Sequence, residues 1–244
     1  MNHVINRVTK FIDLGYIDYK EAWDQQTDLF NSILNVKSEN RNRSVDAQLV
    51  TNNFLLFCEH PHVYTLGKSG NENNLLIPKE NLPGIGASYY HINRGGDITY
   101  HGPGQLVVYP VVDLENFFTD IHQYMRLLEE AVIQTLREFN IEAGRISGLT
   151  GVWLDCENEK SARKICAMGV KTSRWVTMHG LALNVNTDLS YFNHMVPCGI
   201  KDKDVTSIEK ELGKKADMIK VKEILKEKLA HLFRMEFHPQ SSAK

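Results

Sequence analysis

A glycine-rich segment at residues 94–105 (RGGDITYHGPGQ) places the strongest constraint on how this chain can fold. Four glycines and a proline stand among charged and hydrogen-bonding side chains, directly before an apolar run at 106–114. Glycine lets a backbone approach a ligand closely, and proline stiffens a turn. Because functional side chains concentrate on loops held by a rigid scaffold, we interpret the segment as one wall of a binding site. A polar hairpin loop is the alternative.

The hydrophobic periodicity predicts helices on both sides of a group of strands. Helices are expected at 18–36 after an Asp18 cap, from Asp120 to about 140, from Thr206 to Gly213, and from Asp217 onwards. Strands are expected at 49–58, 63–67, 88–93, 106–114, 151–155, 164–170 and 175–185. Polar loops are predicted at 37–48 and at 68–86, the latter as a flexible lid. This order predicts an α+β fold, a single domain over residues 1–244 with a mixed sheet and packed helices.

Composition narrows the class of protein. A chain of 244 residues with 42% hydrophobic content can bury a sizeable core. The net charge of −2 gives no global positive field for nucleic acid or an anionic membrane. The N-terminus lacks the apolar run of a signal peptide, and no segment has the ~20 apolar residues of a membrane span. We therefore expect a soluble cytoplasmic protein.

Four cysteines are scattered along the chain without CxxC spacing, which argues against a zinc site or a disulfide framework. Cys198 stands between Pro197 and Gly199 at an expected turn, where backbone N–H groups could stabilise an oxyanion. Cys58 and Cys166 lie in apolar strand-like runs and are better read as inert buried thiols.

A thiol nucleophile needs a neighbouring base or positive charge. Lys164 enters an otherwise small and apolar strand, where burial would favour its neutral amine and make it a usable base. A solvated strand-end lysine is the alternative. His101 and His179, both expected in small-residue loops, form a rival pairing with the thiol.

Several motifs, taken together in order and spacing, resemble those of the octanoyltransferases of lipoate biosynthesis, within the lipoate- and biotin-protein ligase fold group. The motifs are LGYIDY at 14–19, EHP at 59–61, the segment 94–105, GVW at 151–153, RKI at 163–165, HGLALNV at 179–185 and PCGI at 197–200. The resemblance covers residues 14–212 and implies a catalytic domain of that fold group. Cys166 departs from the usual alanine after Lys-Ile, and Met178 stands where an aromatic residue is common.

The resemblance implies that Cys198 carries the acyl group as a thioester and that Lys164 tunes its reactivity. It further implies that a set of residues contacts the acyl substrate: Arg94, Gly95, Gly96, Asp97, Ile98, Thr99, Tyr100, His101, Ala167, Met168, Gly169, Gly180, Leu181 and Ala182. It implies no ATP, no metal and no other cofactor.

The implied reaction moves an octanoyl group from octanoyl-acyl carrier protein to a lysine of a lipoyl domain. The implied acceptors are lipoyl domains of 2-oxoacid dehydrogenase complexes and the glycine cleavage H protein, and we expect a monomer. Three alternatives stay open: an ATP-dependent lipoate or octanoate ligase of the same fold, a non-catalytic acyl-carrier-binding module, and a Cys–His thiol hydrolase.

Overall fold

The computed structural model describes residues 5–158, 160–196 and 204–237. Their strands form two sheets and are β1 Val8–Tyr16, β2 Asn53–Glu59, β3 Val63–Leu66, β4 Ser88–His91, β5 Ile98–His101, β6 Gln105–Val111, β7 Val152–Leu154, β8 Arg163–Ser173, β9 Val176–Asn184, β10 Asp204–Val205 and β11 Glu236–Phe237. The α-helices are α1 Tyr19–Asn40, α2 Ile121–Arg137, α3 Ile208–Leu212 and α4 Met218–Phe233. Short 3-10 helices lie at Val45–Ala47, Glu72–Asn74, Lys79–Ile85, Leu114–Asn116 and Leu189–His194.

The larger sheet has the strand order β10-β8-β9-β6-β2-β1-β11, and β7 also pairs with β8. Its pairs are parallel where β10 meets β8 and where β1 meets β2 and β11. The pairs β2–β6, β6–β9, β8–β9 and β7–β8 are antiparallel. This arrangement confirms the predicted mixed sheet.

Helices cover both faces of the larger sheet because its central strands are apolar on both sides. In β2, Leu55 and Phe57 pack with α2 and α4, whereas Leu56 and Cys58 pack with α1. That alternation follows from the two-residue period of a strand. The α+β fold class expected from the sequence is thus confirmed.

The smaller sheet has the order β4-β3-β5, with β4 parallel and β5 antiparallel to β3. Strand β5 lies within the glycine-rich segment, so the interpretation of residues 94–105 as a loop throughout is wrong. Ile98 and Tyr100 are fully buried there, and they pair across the ladder with Leu66 and Tyr64. Burial of these two apolar side chains outweighs the turn preference of the flanking glycines.

The helix starts follow from aspartate caps. The carboxylates of Asp18, Asp120 and Asp217 accept hydrogen bonds from the first free backbone N–H groups of α1, α2 and α4. Such caps satisfy donors that have no partner within the helix. All three predicted starts are confirmed, whereas α3 is capped by Ser207 instead of Thr206.

Two other elements differ from the sequence-based expectation. Helix α1 continues to Asn40, so its last turn occupies the start of the predicted loop at 37–48. Lys37 in that turn reaches the carboxylates of Asp113 and Glu115, at 2.6 and 2.7 Å. Strand β1 has a mixed burial pattern and was not predicted, because it lacks clean apolar alternation.

Within the described ranges, no helix is both long and apolar enough to cross a membrane.

The ion pairs of Lys37 lead to a stability prediction. Asp113 is fully buried and also accepts from the Thr51 hydroxyl at 3.0 Å, whereas Glu115 is 39% exposed on its side chain. Removing one member of a buried charge pair costs about 3 kcal/mol, and removing an exposed partner costs less than about 1 kcal/mol. Asp113→Ala should lower the free energy of unfolding in urea far more than its control Glu115→Ala. Equal losses in both variants would contradict this assignment.

Candidate active site

A cavity of about 600 Å³ lies where residues of the two sheets face each other. This volume is within the range of roughly 300–1,000 Å³ that is usual for small-molecule sites. The larger sheet contributes a floor of small residues on β8 and β9. Ala167 is the cross-strand partner of Ala182, and Gly169 is that of Gly180. The floor therefore carries no bulky side chain at these four positions.

Arg94 forms the opposite wall. Its guanidinium donates to the carbonyl of Thr65 at 3.0 Å, to that of Asp97 at 2.8 Å and to that of Gly95 at 2.9 Å. The Gly95 N–H donates to the Val170 carbonyl on β8 at 3.0 Å. These bonds join the segment to both sheets, so the side chain of Arg94 is held in place before any ligand binds.

Close packing explains the glycine at position 169, and backbone conformation explains the one at position 96. A Cβ at Gly169 would lie 2.7 Å from Cδ of Arg94, and Gly96 has a φ of +87° that favours glycine. Beside Gly96, the Asp97 carboxylate turns away to bind the Asn71 N–H at 3.0 Å and the Asn74 side chain. The acidic group of the segment thus orders the neighbouring loop.

Lys164 lies at another side of the cavity and is almost fully buried. Its Nζ lies 4.5 Å from the ring centroid of Trp153, a cavity-lining residue on β7. A cation over an indole face is stabilised by the ring quadrupole. The start of β7 is fixed by Glu129, whose buried carboxylate accepts from the Gly151 N–H at 3.1 Å. The contact between Lys164 and Trp153 therefore rests on anchored backbone.

Three histidines near the cavity are neutral. Burial lowers the pKa of His101 and of His179 to about 3, and that of His60 to about 4. His101 ends β5 and His179 lies inside β9, so the expectation that both occupy loops is wrong. Groups with such low pKa values are poor bases at neutral pH. His101 and His179 are therefore weak candidates for the base of the rival Cys–His pairing.

His179 is held by contacts from two sides. It has a φ of +60°, its N–H donates to Gln26 of α1 at 3.0 Å, and its Nε2 lies 3.3 Å from the Asn93 side-chain oxygen. The amide of Gln26 thus ties α1 to the floor of the cavity.

Cys198, the predicted nucleophile, lies outside the described residues. Among the cysteines that the structure does describe, Cys58 and Cys166 are fully buried and Cys156 is partly buried. Burial raises the pKa of each of these three thiols. None of the three is therefore primed as a thiolate.

The structure brings together most residues that the sequence assigned to substrate binding. The predicted residues that line the cavity are Arg94, Gly95, Gly96, Asp97, Ile98, Thr99, His101, Ala167, Met168, Gly169, Gly180, Leu181 and Ala182. Tyr100 is directed elsewhere, because its hydroxyl lies 2.7 Å from Nδ1 of His62 and its ring stacks on Tyr191. That the lining residues bind substrate stays a prediction.

Other lining residues were not singled out from the sequence. Tyr19, Tyr109, Met125, Leu149 and Trp153 all line the cavity. Tyr19 appeared only in the predicted helix and the LGYIDY motif, and Trp153 only within the GVW motif. No local pattern distinguishes them, since tertiary packing alone brings them together.

Among the described residues, no group of three His, Cys, Asp or Glu side chains could hold a metal ion.

The chain is similar to several octanoyltransferases over almost its whole length. It is 60% identical over 235 residues to that of Cytophaga hutchinsonii, covering 96% of each chain. It is 57% identical over 233 residues to that of Flavobacterium johnsoniae, covering 95% of this chain and 99% of the relative. For one from Bacteroides fragilis, identity is 53% over 213 residues, with coverage of 87% and 92%.

Solved structures share the fold at low identity. A putative lipoate protein ligase from T. acidophilum with bound lipoic acid superposes with a TM-score of 0.64 at 15% identity, covering 95% of this chain and 88% of the other. Lipoate-protein ligase A bound with ATP superposes with a TM-score of 0.61 at 16% identity, covering 96% and 89%. These confirm the predicted fold group.

The sequence also matches the model of a protein family. The lipoyl protein ligase A/B catalytic domain matches residues 18–230. This range contains both sheets of the cavity apart from β1 and β11. The resemblance inferred from the motifs is confirmed, and the chain belongs to the lipoyl protein ligase A/B catalytic domain family.

Proposed function

We propose that this chain is an acyltransferase that moves octanoyl groups onto lysine side chains of lipoyl domains through a thioester on Cys198. The observation that carries the proposal is Lys164, buried at the wall of the cavity with Nζ over Trp153. Octanoyltransferases at 60% and 57% identity support the same reaction. We take the donor to be octanoyl-acyl carrier protein.

The path of the chain around Cys198 supports its pairing with Lys164. Before the undescribed residues 197–203, the Val196 N–H donates to the Asn74 carbonyl at 2.8 Å. After them, Val205 pairs with Lys164 in the β10–β8 ladder, and the Thr206 N–H donates to the Lys164 carbonyl at 2.9 Å. The chain that directly follows residues 197–203 thus runs beside the backbone of Lys164, which supports the proposal.

In the first step, the Cys198 sulfur attacks the carbonyl carbon of the donor thioester. A new C–S bond forms on the enzyme, the C–S bond to the carrier breaks, and the carrier thiolate takes up a proton. One thioester replaces another, so the exchange is nearly balanced in free energy.

In the second step, the lysine amine of the acceptor attacks the carbonyl carbon of the enzyme thioester. The C–N bond of an amide forms, the C–S bond breaks, the amine nitrogen releases a proton to solvent, and the Cys198 thiolate is regenerated. Formation of the amide makes the sequence favourable overall, so the reaction needs no ATP.

The ring of Trp153 bears on the protonation state of Lys164. A face of indole attracts an ammonium and not a neutral amine, by about 0.5–2 kcal/mol depending on solvation. We therefore propose that Lys164 contributes a positive charge that pairs with the Cys198 thiolate, although burial alone favours the neutral amine. Arg94, fixed at the facing wall, adds a second positive charge near the reacting carbonyl.

Other expectations from the sequence belong to this proposal and stay predictions. They are the absence of a required metal or ATP, the acyl-carrier donor, acceptors that include the glycine cleavage H protein, a monomeric state and a cytoplasmic location. The residues that line the cavity would bind the acyl chain.

Replacement of Cys198 tests the covalent step. After mixing with octanoyl-acyl carrier protein in the absence of ATP, intact-protein mass spectrometry should show one octanoyl adduct on the wild type and none on Cys198→Ala. The control Cys156→Ser, which alters a partly buried thiol of raised pKa, should form the adduct normally.

Other outcomes of this experiment identify the alternatives. An adduct on Cys198→Ala would assign the nucleophile to another cysteine. Modification of a lipoyl domain that requires free octanoate and ATP would identify a ligase. Tight carrier binding without any adduct would identify a non-catalytic module, and release of free octanoate without acceptor would identify a hydrolase.

Replacement of Lys164 tests the ion pair. Lys164→Ala should slow adduct formation by at least about 100-fold, the usual contribution of a group that assists proton or charge development. Lys164→Arg retains a positive charge that cannot act as a base, so it should be faster than Lys164→Ala. The exposed Lys160→Ala serves as the control. An arginine variant as slow as the alanine variant would favour a neutral amine that acts as a base.

A further inference from the structure

A chain of hydrogen bonds connects the cavity wall to the backbone beside Lys164. Nδ1 of His101 lies 2.7 Å from Oε1 of Gln105, and Nε2 of Gln105 donates to Oδ1 of Asn184 at 2.8 Å. Nδ2 of Asn184 donates to the Thr206 carbonyl at 2.9 Å. His101, Gln105 and Asn184 are all buried.

Backbone carbonyls fix the direction of every bond in this chain. A carbonyl oxygen can only accept, so the Thr206 carbonyl requires the amide nitrogen of Asn184 and leaves Oδ1 to face Gln105. The Tyr100 carbonyl, 3.2 Å from Nε2 of Gln105, independently requires a nitrogen at that position. Oε1 of Gln105 must therefore face His101, and an amide oxygen can only accept from its ring.

We propose that Gln105 and Asn184 are positioning residues that hold His101 in its Nδ1–H tautomer, so that Nε2 accepts a hydrogen bond from an N–H group of the substrate. The tautomer of a histidine follows from the bond that one of its nitrogens makes. His101 lines the cavity, and its Nε2 has no hydrogen-bond partner among the described residues. That nitrogen therefore presents a lone pair to the ligand.

The surroundings of His101 keep the ring neutral. Burial lowers its pKa and the nearby guanidinium of Arg94 acts in the same direction, which together outweigh the hydrogen bond with Gln105 that raises it. Tyr19 of α1 stacks on the ring with centroids 5.9 Å apart. A pKa of about 3 also means that Nε2 accepts a hydrogen bond without taking the proton.

The chemistry of the substrates narrows the donor, and this step rests on the proposed function. The octanoyl chain and its thioester contain no N–H group. The acceptor lysine amine does, as do the amides of the arm on which a carrier protein holds an acyl group. We assign the amine, because His101 lines the same cavity as Lys164, the proposed partner of Cys198, and the amine must reach the thioester there.

The tautomer can be measured without any activity. In the wild type labelled with ¹⁵N-histidine, a long-range proton–nitrogen spectrum at pH 7 should show His101 protonated at Nδ1, with His101→Phe identifying the signal by its loss. Gln105→Met removes the acceptor and should shift the ratio towards Nε2–H. The control Gln134→Met removes a glutamine of α2 that bonds to Glu130, and should leave the signal unchanged. An Nε2–H or doubly protonated ring in the wild type would overturn the proposal, as would an unchanged ratio in Gln105→Met.

The two half-reactions distinguish the source of the N–H group. The variant His101→Phe keeps an aromatic ring against Tyr19 but has no nitrogen lone pair. The variant Gln105→Met keeps the His101 ring but no longer fixes its Nδ1–H tautomer. Both should slow octanoyl transfer from the enzyme to a lipoyl domain about three- to tenfold, the effect of one neutral hydrogen bond. Formation of the Cys198 adduct, in which no lysine amine takes part, should be slowed less than this transfer.

If both variants slowed only adduct formation, Nε2 would still accept a hydrogen bond from the substrate. The N–H group that donates this bond would then belong to the amides of the carrier arm. Unchanged rates in both half-reactions, or equal slowing of both, would overturn the role in binding an N–H group. Absence of an adduct on the wild type would instead contradict the proposed function, and the spectrum of His101 would still decide its tautomer.

Discussion

The junction between the two sheets at Arg94 and Gly95 is the interaction on which the cavity depends. The guanidinium binds carbonyls of the smaller sheet and of its own turn, while the next N–H binds the Val170 carbonyl of the larger sheet. Hydrogen bonds from a charged donor are stronger than neutral ones, and a bidentate or branched donor also fixes orientation. With this junction in place, the small residues of β8 and β9 face an ordered wall across an open space.

The electrostatics of the cavity follow from which of its groups can hold charge. Burial leaves His101 and His179 neutral, and the carboxylate of Asp97 is occupied by the loop at 71–74. Arg94 and Lys164, the basic residues of the proposed mechanism, both line the same space. A site of this kind stabilises negative charge that develops on a thiolate or a thioester oxygen, since low dielectric strengthens such interactions. In the proposed reaction, such a site would disfavour a further positive charge, so the acceptor lysine would react there as its neutral amine.

The helices and the mixed sheet were predictable because local signals there agree with the tertiary structure. Aspartate caps mark the starts of α1, α2 and α4, and apolar runs mark β2, β6 and β9. Strand β5 was missed because glycines surround Ile98 and Tyr100, whose burial depends on Tyr64 and Leu66 of another strand.

The site was predictable only in part, for a related reason. The glycine-rich wall and the small-residue strands have visible composition, whereas Tyr19 and Trp153 resemble ordinary core residues until the fold places them at the cavity. The bonds that orient His101 extend from residue 101 to residue 206, and no local pattern records such a path. The assignment of Cys198 came from a motif, and its residues lie outside those that the structure describes.

The pairing of β1 with β11 has a consequence for biosynthesis. Val8 is aligned with Glu236, and the Glu236 N–H donates to the Arg7 carbonyl at 2.9 Å. Strand β1 therefore waits for one of its two neighbours until the residues between Val8 and Glu236 have been made. Chains are synthesised at about 5–20 residues per second, so this edge of the sheet stays incomplete for roughly ten seconds or more. Until then, β1 exposes unpaired backbone groups of the type that favours association with other nascent chains.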